Sequence, residues 1–234
     1  MGWTSHDNLP LPCASPGVIG QAAGSIHCYE KVRHLFLQGQ PGIGKSSLLR
    51  KALESIDYGV AGFATQRLKE NSRTTGYRVL QITNGFPLLD EEYTPSKLGV
   101  FLLNGQQNIP VLEAAISQVE EDSKNPNCNI IVLDEIGGIE LVSDVFMKTL
   151  LRIISGRKPC IGVLKSAQNL SHTVSKQNLS SEYLILHKQL EQEIQSKSEL
   201  ITVTDENKFA MQEYLARYLR HSTQYSPNSS ILSK

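Results

Sequence analysis

One octet restricts what this chain can fold into more than any other feature of its sequence: it is Gly39-Gln40-Pro41-Gly42-Ile43-Gly44-Lys45-Ser46. The octet fits the pattern G-x-x-x-x-G-K-[S/T] at every defined position. Glycines permit a turn whose backbone N–H groups point inward around phosphate oxygens. An apolar run, residues 34–38, precedes the octet, and an amphipathic run over residues 47–56 follows it. The pattern therefore predicts a phosphate-binding loop between a strand and a helix.

A second feature is the pair of carboxylates Asp134 and Glu135, which ends the apolar run of residues 130–133. Such a run is typical of a strand that is buried on both sides. At this place in enzymes with a phosphate-binding loop, the first carboxylate holds Mg²⁺ and the next orients or deprotonates a water. We therefore predict Ser46 and Asp134 as Mg²⁺ residues, with Glu135 and Lys45 as catalytic residues and nucleotide contacts along the whole octet.

The remaining pattern alternates strands with helices, which predicts an α/β fold: a mainly parallel sheet covered by helices on both faces. We expect the last helix to begin at Thr204 or Asp205. The predicted strands are residues 34–38, 59–68, 76–82, 129–133, 160–164 and 200–203, and the helices are residues 47–56, 111–121 and 140–155. The residues expected to be buried by the last helix are Phe209, Tyr214, Leu215, Tyr218 and Leu219.

Composition divides the chain into one domain and two flexible ends. Residues 1–32 are rich in Pro, Gly, Ser and Ala, and residues 221–234 are polar and rich in Ser, so both are expected to be loose. The domain is predicted over residues 33–220. The first thirty residues contain no Lys or Arg, and no 18-residue apolar window occurs, which predicts neither an export signal nor a membrane span.

Charge and cysteine content limit the classes of partner and the cellular compartment that we expect. Lys and Arg total 23 and Asp and Glu total 23, so the formal net charge is zero, which argues against nucleic acid as the main partner. The four cysteines stand singly, without the spacing of a zinc site or a disulfide framework. Together with the missing export signal, this predicts a cytoplasmic protein.

Five segments stand in an order that resembles a known family. They are the octet, Gly62-Phe63-Ala64-Thr65, Gly76-Tyr77, residues 134–141 (D-E-I-G-G-I-E-L) and residues 203–207 (V-T-D-E-N). The chain resembles the small nucleoside-triphosphatases with a phosphate-binding loop, which include the cancer-related nucleoside-triphosphatase and its archaeal and bacterial relatives. The resemblance covers about residues 33–220. The D-E-I-G-x-x-E-L run is its specific motif.

The resemblance implies a RecA-like core with an additional strand and a catalytic glutamate. It also implies Mg²⁺ dependence and slow hydrolysis of ATP, GTP, CTP and UTP to the diphosphate and phosphate, with low base selectivity. The chain departs from the family at Gln66 and Lys69, where acidic residues and then an arginine are usual, at Gly138, and at Lys165-Ser166. These departures concern loop contacts and turnover, since the octet and Asp134-Glu135 are intact.

Phosphoryl transfer also needs positive charge near the γ-phosphate in the transition state. The candidates are Arg67, Arg73, Arg78, Arg157 and Lys165, of which Arg73 and Lys165 follow strands that should end near the octet. Glu140 begins the run after the acidic strand, where it either caps a helix or lies near the nucleotide.

Two alternatives to a hydrolase remain open from the sequence. A nucleotide or small-molecule kinase would use the same residues, with Glu135 receiving the proton of an acceptor hydroxyl. It would also need a lid, and the poorly periodic residues 85–108 are long enough to form one. A nucleotide-dependent binding module would keep only vestigial hydrolysis that times a conformational switch.

Overall fold

Strands of one mixed sheet form the centre of the molecule. The computed structural model describes residues 34–54, 59–82 and 86–224. Within these residues the strands are β1 His34–Gly39, β2 Gly59–Glu70, β3 Arg73–Gln81, β4 Asp90–Glu92, β5 Val100–Leu103, β6 Gln106–Gln107, β7 Cys128–Ile136, β8 Cys160–Leu164 and β9 Glu199–Val203. They lie in the order β6-β5-β3-β2-β7-β8-β1-β9, and β4 pairs with β2.

Helices cover both faces of this sheet. They are α1 Lys45–Leu53, α2 Ile109–Asp122, α3 Asp144–Ser155, α4 Ala167–Gln177, α5 Glu182–Lys197 and α6 Lys208–Gln224, with a 3₁₀ turn at Ile139–Val142. Apolar residues of α1 and α6 pack on one face of the sheet. Those of α2, α3, α4 and α5 pack on the other. The predicted α/β fold with helices on both faces is confirmed.

The order of the parallel strands decides where the functional residues meet. β8 pairs in parallel with both β1 and β7, so one strand separates the octet's strand from the acidic strand. This is the additional strand that the family resemblance implies. The carboxyl ends of β1, β7, β8 and β9 all lie at one edge of the sheet, since each neighbouring pair is parallel. The octet and the Asp134-Glu135 pair therefore lie at that edge.

Residues 86–108 are not an irregular lid. β4 pairs with β2 in parallel, and β5 pairs antiparallel with β3 and β6, so the segment extends the sheet instead of closing over it. These strands are so short that they leave little periodicity in the sequence. Residues 83–85 lie outside the described part of the chain.

The helix predicted at residues 140–155 is interrupted. A 3₁₀ turn ends at Val142, and α3 starts afresh after Ser143. The Ser143 hydroxyl accepts a hydrogen bond from the Phe146 N–H (3.0 Å), while Ser143 itself has an extended backbone. Serine competes with helical hydrogen bonding in this way, which makes it a favoured N-cap. Similarly, α1 ends at Leu53, and residues 55–56 of the predicted helix lie outside the described residues.

The last helix buries a different stripe from the one expected. Leu215, Tyr218 and Leu219 are buried as predicted, and Tyr214 is half-buried. Phe209, however, is 89% exposed, and Met211 is buried instead. At 3.6 residues per turn, position 209 lies about 200° around the helix from position 211, so it faces away from the core.

The predicted division of the chain into domain and ends stays a prediction. The leader, residues 1–32, lies outside the described residues, as does the tail from residue 225 onward, while α6 continues to Gln224. Among the described helices, none has the length and apolarity that a membrane crossing requires.

Candidate active site

Glycines shape the octet between β1 and α1. Gly42 (φ +79°) and Gly44 (φ +102°) lie in the left-handed region, where a residue with a Cβ is strained. No atom lies within 4 Å of where a Cβ would stand at either position, so conformation and not crowding requires glycine there. Gly44 is also the N-cap of α1, which leaves the first N–H groups of that helix available to a phosphate.

Lys45 folds back over the octet. Its ammonium group donates hydrogen bonds to the carbonyl oxygens of Gly39 (2.9 Å) and Gln40 (3.0 Å), and the residue is buried. Burial lowers the pKa of Lys45, and the carboxylates of Glu135 and Asp134 oppose that shift. The charge of Lys45 is therefore held within the loop, beside the space that a phosphate would enter.

Ser46 and Asp134 join the octet's helix to the acidic strand. The Ser46 hydroxyl donates a hydrogen bond of 2.9 Å to Asp134 Oδ1. Asp134 is 1% exposed, and its Oδ2 has no hydrogen-bond partner among the described residues. Burial, reinforced by the nearby charge of Glu135, raises the pKa of Asp134 to about 7, although the Ser46 hydrogen bond and Lys45 act against it. A buried carboxylate oxygen without a partner is one that a cation would stabilise.

The donor set here fits Mg²⁺. A hydroxyl and a carboxylate are hard oxygen ligands, and Mg²⁺ in phosphoryl-transfer sites is held by one or two such groups together with water and substrate phosphates. No group of three or more His, Cys, Asp or Glu that could hold a metal occurs in the part of the chain that the structure describes. Ser46 and Asp134 are thus the residues available to such an ion at this edge of the sheet.

Glu135 lies on a bulge of β7. Asp134 pairs with Val163 and Ile136 with Leu164, so Glu135 is an extra residue against β8. Bulges re-aim side chains, and they are common beside active sites. Asp134 contacts α1 through Ser46, whereas the half-buried Glu135 lines a cavity of about 690 Å³. Asp134 is therefore bonded to the octet's helix, whereas Glu135 lines this larger cavity.

Glu140 stabilises the turn that follows the acidic strand. Its Oε1 accepts hydrogen bonds from the backbone N–H groups of Gly137 (2.5 Å) and Gly138 (2.8 Å), and the residue is 5% exposed. It also lines the larger cavity. Glu140 therefore holds the turn before the 3₁₀ segment and does not cap the helix, whose cap is Ser143, and it lies next to the candidate site.

The ionisation of Glu140 should make the free energy of unfolding depend on pH. Burial raises its pKa above the usual 4.5, so the folded protein binds this proton more tightly than the unfolded chain. The free energy of unfolding should therefore fall as the pH rises above 4.5. Glu140→Gln keeps an acceptor and cannot ionise, so we expect a flatter pH profile in urea denaturation.

The matched variant is Glu140→Ala, which leaves the Gly137 and Gly138 N–H groups without their acceptor. We expect its free energy of unfolding to lie about 1–3 kcal/mol below that of Glu140→Gln at every pH, since neither variant ionises there. Equal destabilisation by both substitutions would show that the acceptor oxygen is not what matters.

The five candidate cations for the γ-phosphate lie in different parts of the structure. Arg67 pairs with Asp90 at 2.9 Å, and Arg78 pairs with Glu91. Arg157 precedes β8 and so lies at the amino-terminal edge of the sheet, away from the octet. Only Arg73 and Lys165 of the five line the cavity that holds Glu135.

The departures at Gln66 and Lys69 are compensated within the sheet. Gln66 is 2% exposed, and its amide donates to the Leu88 carbonyl (2.7 Å) and accepts from Arg78 Nε (2.7 Å). Lys69 pairs with Asp90 on β4 at 2.8 Å. The carboxylates of β4 thus supply the negative charge that β2 lacks, and these residues hold the sheet edge together instead of contacting the octet.

Several cavity residues could not have been found from the sequence. They come from α4, which our sequence analysis did not predict, and from the turn after β5. The larger cavity is lined on this side by Asn104, Gly105, Asn169, His172, Thr173, Lys176 and Gln177. These residues carry no motif, and only the packing of α4 beside the end of β7 brings them together with Glu135.

A smaller cavity of about 500 Å³ lies on the other side of the octet, at the ends of β1 and β9. It is lined by Gly39, Gln40 and Ile43 of the octet and by residues 202–206. Gln40 donates a hydrogen bond of 3.1 Å to Gln168 at its rim. The octet therefore has an adjoining space for the part of a ligand that extends beyond its phosphates.

Comparisons with known proteins identify the family of this chain and several similar proteins. A family model described as NTPase matches residues 34–216. The chain is 29% identical to the nucleoside-triphosphatase THEP1 of Saccharolobus solfataricus over 140 residues, 57% of this chain and 77% of that protein. It is 31% identical to the human cancer-related nucleoside-triphosphatase over 137 residues, 53% of this chain and 70% of that protein. The crystal structure of THEP1 from Aquifex aeolicus, 24% identical, matches 78% of this chain and 96% of its own with a TM-score of 0.43.

Proposed function

We propose that this chain hydrolyses ATP, GTP, CTP and UTP in a Mg²⁺-dependent reaction with low base selectivity and slow turnover. The premise is that the chain belongs to the NTPase family and is therefore a nucleoside-triphosphatase. The proposed nucleotide site is the octet, residues 39–46, together with Asp134 and Glu135.

The observation that carries this proposal is the contact between Ser46 and Asp134. A hydrogen bond of 2.9 Å joins the first turn of α1 to the end of the acidic strand, and it leaves one buried carboxylate oxygen of Asp134 without a partner. An unpartnered buried oxygen costs free energy, which a bound cation would recover. Placed beside the octet, the pair suits a cation that accompanies a triphosphate.

Each residue of the proposed site has its own role in the reaction. Backbone N–H groups of the octet and the Lys45 ammonium group bind the β- and γ-phosphate oxygens and take up charge that develops there. Glu135 orients a water and accepts its proton as the water oxygen attacks the γ-phosphorus. The bond from that phosphorus to the bridging oxygen breaks, and the diphosphate leaves. When bound by Ser46 and Asp134, Mg²⁺ neutralises charge on the phosphates.

Low base selectivity and slow turnover follow from what surrounds the octet. The octet recognises phosphates, which all four nucleotides share. Arg67 and Arg78, two of the candidate cations, are held in ion pairs with β4, and neither lines the larger cavity. An arginine that contacts the γ-phosphate accelerates such reactions by about 10³–10⁵. Arg73, the one candidate arginine that lines the larger cavity, is exposed, and without an arginine on the γ-phosphate turnover is slow.

The test is phosphate release from ATP, GTP, CTP and UTP, each with Mg²⁺ and with EDTA. We expect release from all four in Mg²⁺, none in EDTA, and loss of release in Lys45→Ala. Lys51→Ala is the control, since Lys51 lies exposed on the same helix. Release from one nucleotide only would refute low selectivity, and release in Lys45→Ala equal to that of the unmodified protein would refute the site.

A further inference from the structure

The larger cavity begins beside the octet, because two of its lining residues, Glu135 and Lys165, act electrostatically on Lys45. Among its described lining residues there is none from positions 39–46, whereas the smaller cavity includes three of them. Its walls come from β3, the turn after β5, the turn after β7, and α4. Glu135 therefore lies between the octet and the rest of this space, and a nucleotide held by the octet leaves the part lined by Arg73 and Lys176 unfilled.

The charge on its walls favours an anion. Arg73, Lys165 and Lys176 line the cavity together with His172, and these three cations make no ion pair with any residue that the structure describes. The two carboxylates present are Glu135 and Glu140, of which Glu140 interacts electrostatically with Lys165, so Arg73 and Lys176 carry the excess positive charge of the walls. Cations left unpaired around one concave surface attract a phosphate or carboxylate ligand.

The smaller cavity has the opposite character. Its charged lining residues are Glu191, Asp205 and Glu206, and no Lys or Arg lines it among the described residues. Because it adjoins the octet and repels additional negative charge, it suits the uncharged nucleoside part of a triphosphate. The larger cavity then remains available to a different anion.

Polar and aromatic groups complete the lining of the larger cavity. Thr74, Thr75 and Asn104 offer hydroxyl and amide groups, and Tyr77 lies against Phe101 with ring centroids 6.3 Å apart and planes inclined by 26°. A space of about 690 Å³ is of the size that takes one nucleotide-sized molecule. An aromatic wall beside cations suits a ligand that carries both a planar ring and a phosphate.

We propose that this cavity binds a second, phosphate-bearing molecule of nucleotide size while the octet holds a triphosphate. The proposal rests on the proposed function only for the occupant of the octet. The phosphate lies against Arg73 and Lys176 at the open side, and the rest of the molecule extends along Tyr77 toward Glu135.

Calorimetric titration tests this with two probes, AMP and ribose 5-phosphate. Each is titrated into protein saturated with Mg²⁺ and a non-hydrolysable ATP analogue, so that the octet is occupied. We expect AMP to bind, and the double variant Arg73→Ala with Lys176→Ala to weaken AMP binding by about tenfold or more. Lys188→Ala is the matched control, because Lys188 lies exposed on α5 and lines neither cavity.

The outcomes separate the possibilities. Tighter binding of AMP than of ribose 5-phosphate supports a nucleotide ligand along Tyr77, and equal binding of both supports recognition of the phosphate alone. Failure of both probes to bind, or an unchanged dissociation constant in the double variant, overturns the proposal.

Lys45→Ala distinguishes this failure from failure of the proposed function. It should lose the ATP analogue and keep AMP binding. If the analogue never binds while AMP still does, the octet assignment fails and the second site stands.

Discussion

Replacing Glu135 by glutamine should lower the rate of phosphate release by about 10²–10⁴-fold while nucleotide binding persists. The amide cannot accept the proton of the attacking water, so the chemical step loses its base. The hydrogen bonds of Lys45 with the octet's carbonyl groups and of Ser46 with Asp134 do not involve Glu135, so the substitution leaves them in place. Loss of turnover without loss of affinity is the signature of a group that acts in the transition state.

The measurement is single-turnover phosphate release, with nucleotide affinity measured separately by titration. Glu182→Gln is the control, since Glu182 is an exposed glutamate in the first turn of α5. A Glu135→Gln protein that releases phosphate at the normal rate would contradict the assignment of Glu135. One that no longer binds nucleotide would contradict its separation from the binding residues.

Replacing Phe146 by alanine should lower the free energy of unfolding by about 3–5 kcal/mol. Phe146 is completely buried on α3, and its ring lies 6.3 Å from that of Phe63 on β2, with planes inclined by 60°. The substitution removes this contact between helix and sheet and leaves a cavity that rigid neighbours fill only in part. A loss of this size is a large fraction of the stability of a typical domain.

Urea denaturation measures this loss, and Phe209→Ala is the matched control. Phe209 is 89% exposed, so its removal should change the free energy of unfolding by no more than about 0.5 kcal/mol. Equal effects of the two substitutions would show that the packing of α3 on the sheet, or the register of α6, differs from the structure.

The local patterns of the sequence predicted the central elements well. The strand at residues 160–164 is found with those bounds, and the runs before Gly39 and Asp134 are buried strands. Both are short apolar runs bounded by turn residues, in which local sequence and tertiary position agree. The octet needs no tertiary information either, because its glycines and Lys45 are close in the sequence.

Other elements depended on contacts that no local pattern encodes. Residues 86–108 pair with β2 and β3 as short strands, since partners distant in the sequence offer hydrogen bonds. The helix at residues 140–155 breaks because the Ser143 side chain caps α3. Phe209 lies outside the buried stripe because α1 packs against Met211 and Leu215 and so fixes the rotation of α6.

By itself the sequence determined the class of fold and predicted the residues that a phosphate, a cation and a water would need: the octet, Asp134 and Glu135. The chemistry of these residues follows from their type and from neighbours in the chain. The tertiary structure alone decided that Ser46 meets Asp134, that Arg73 and Lys165 share a cavity with Glu135, and that Arg67 and Arg78 do not. Those outcomes depend on strand order and helix packing, which set distances between residues far apart in the sequence.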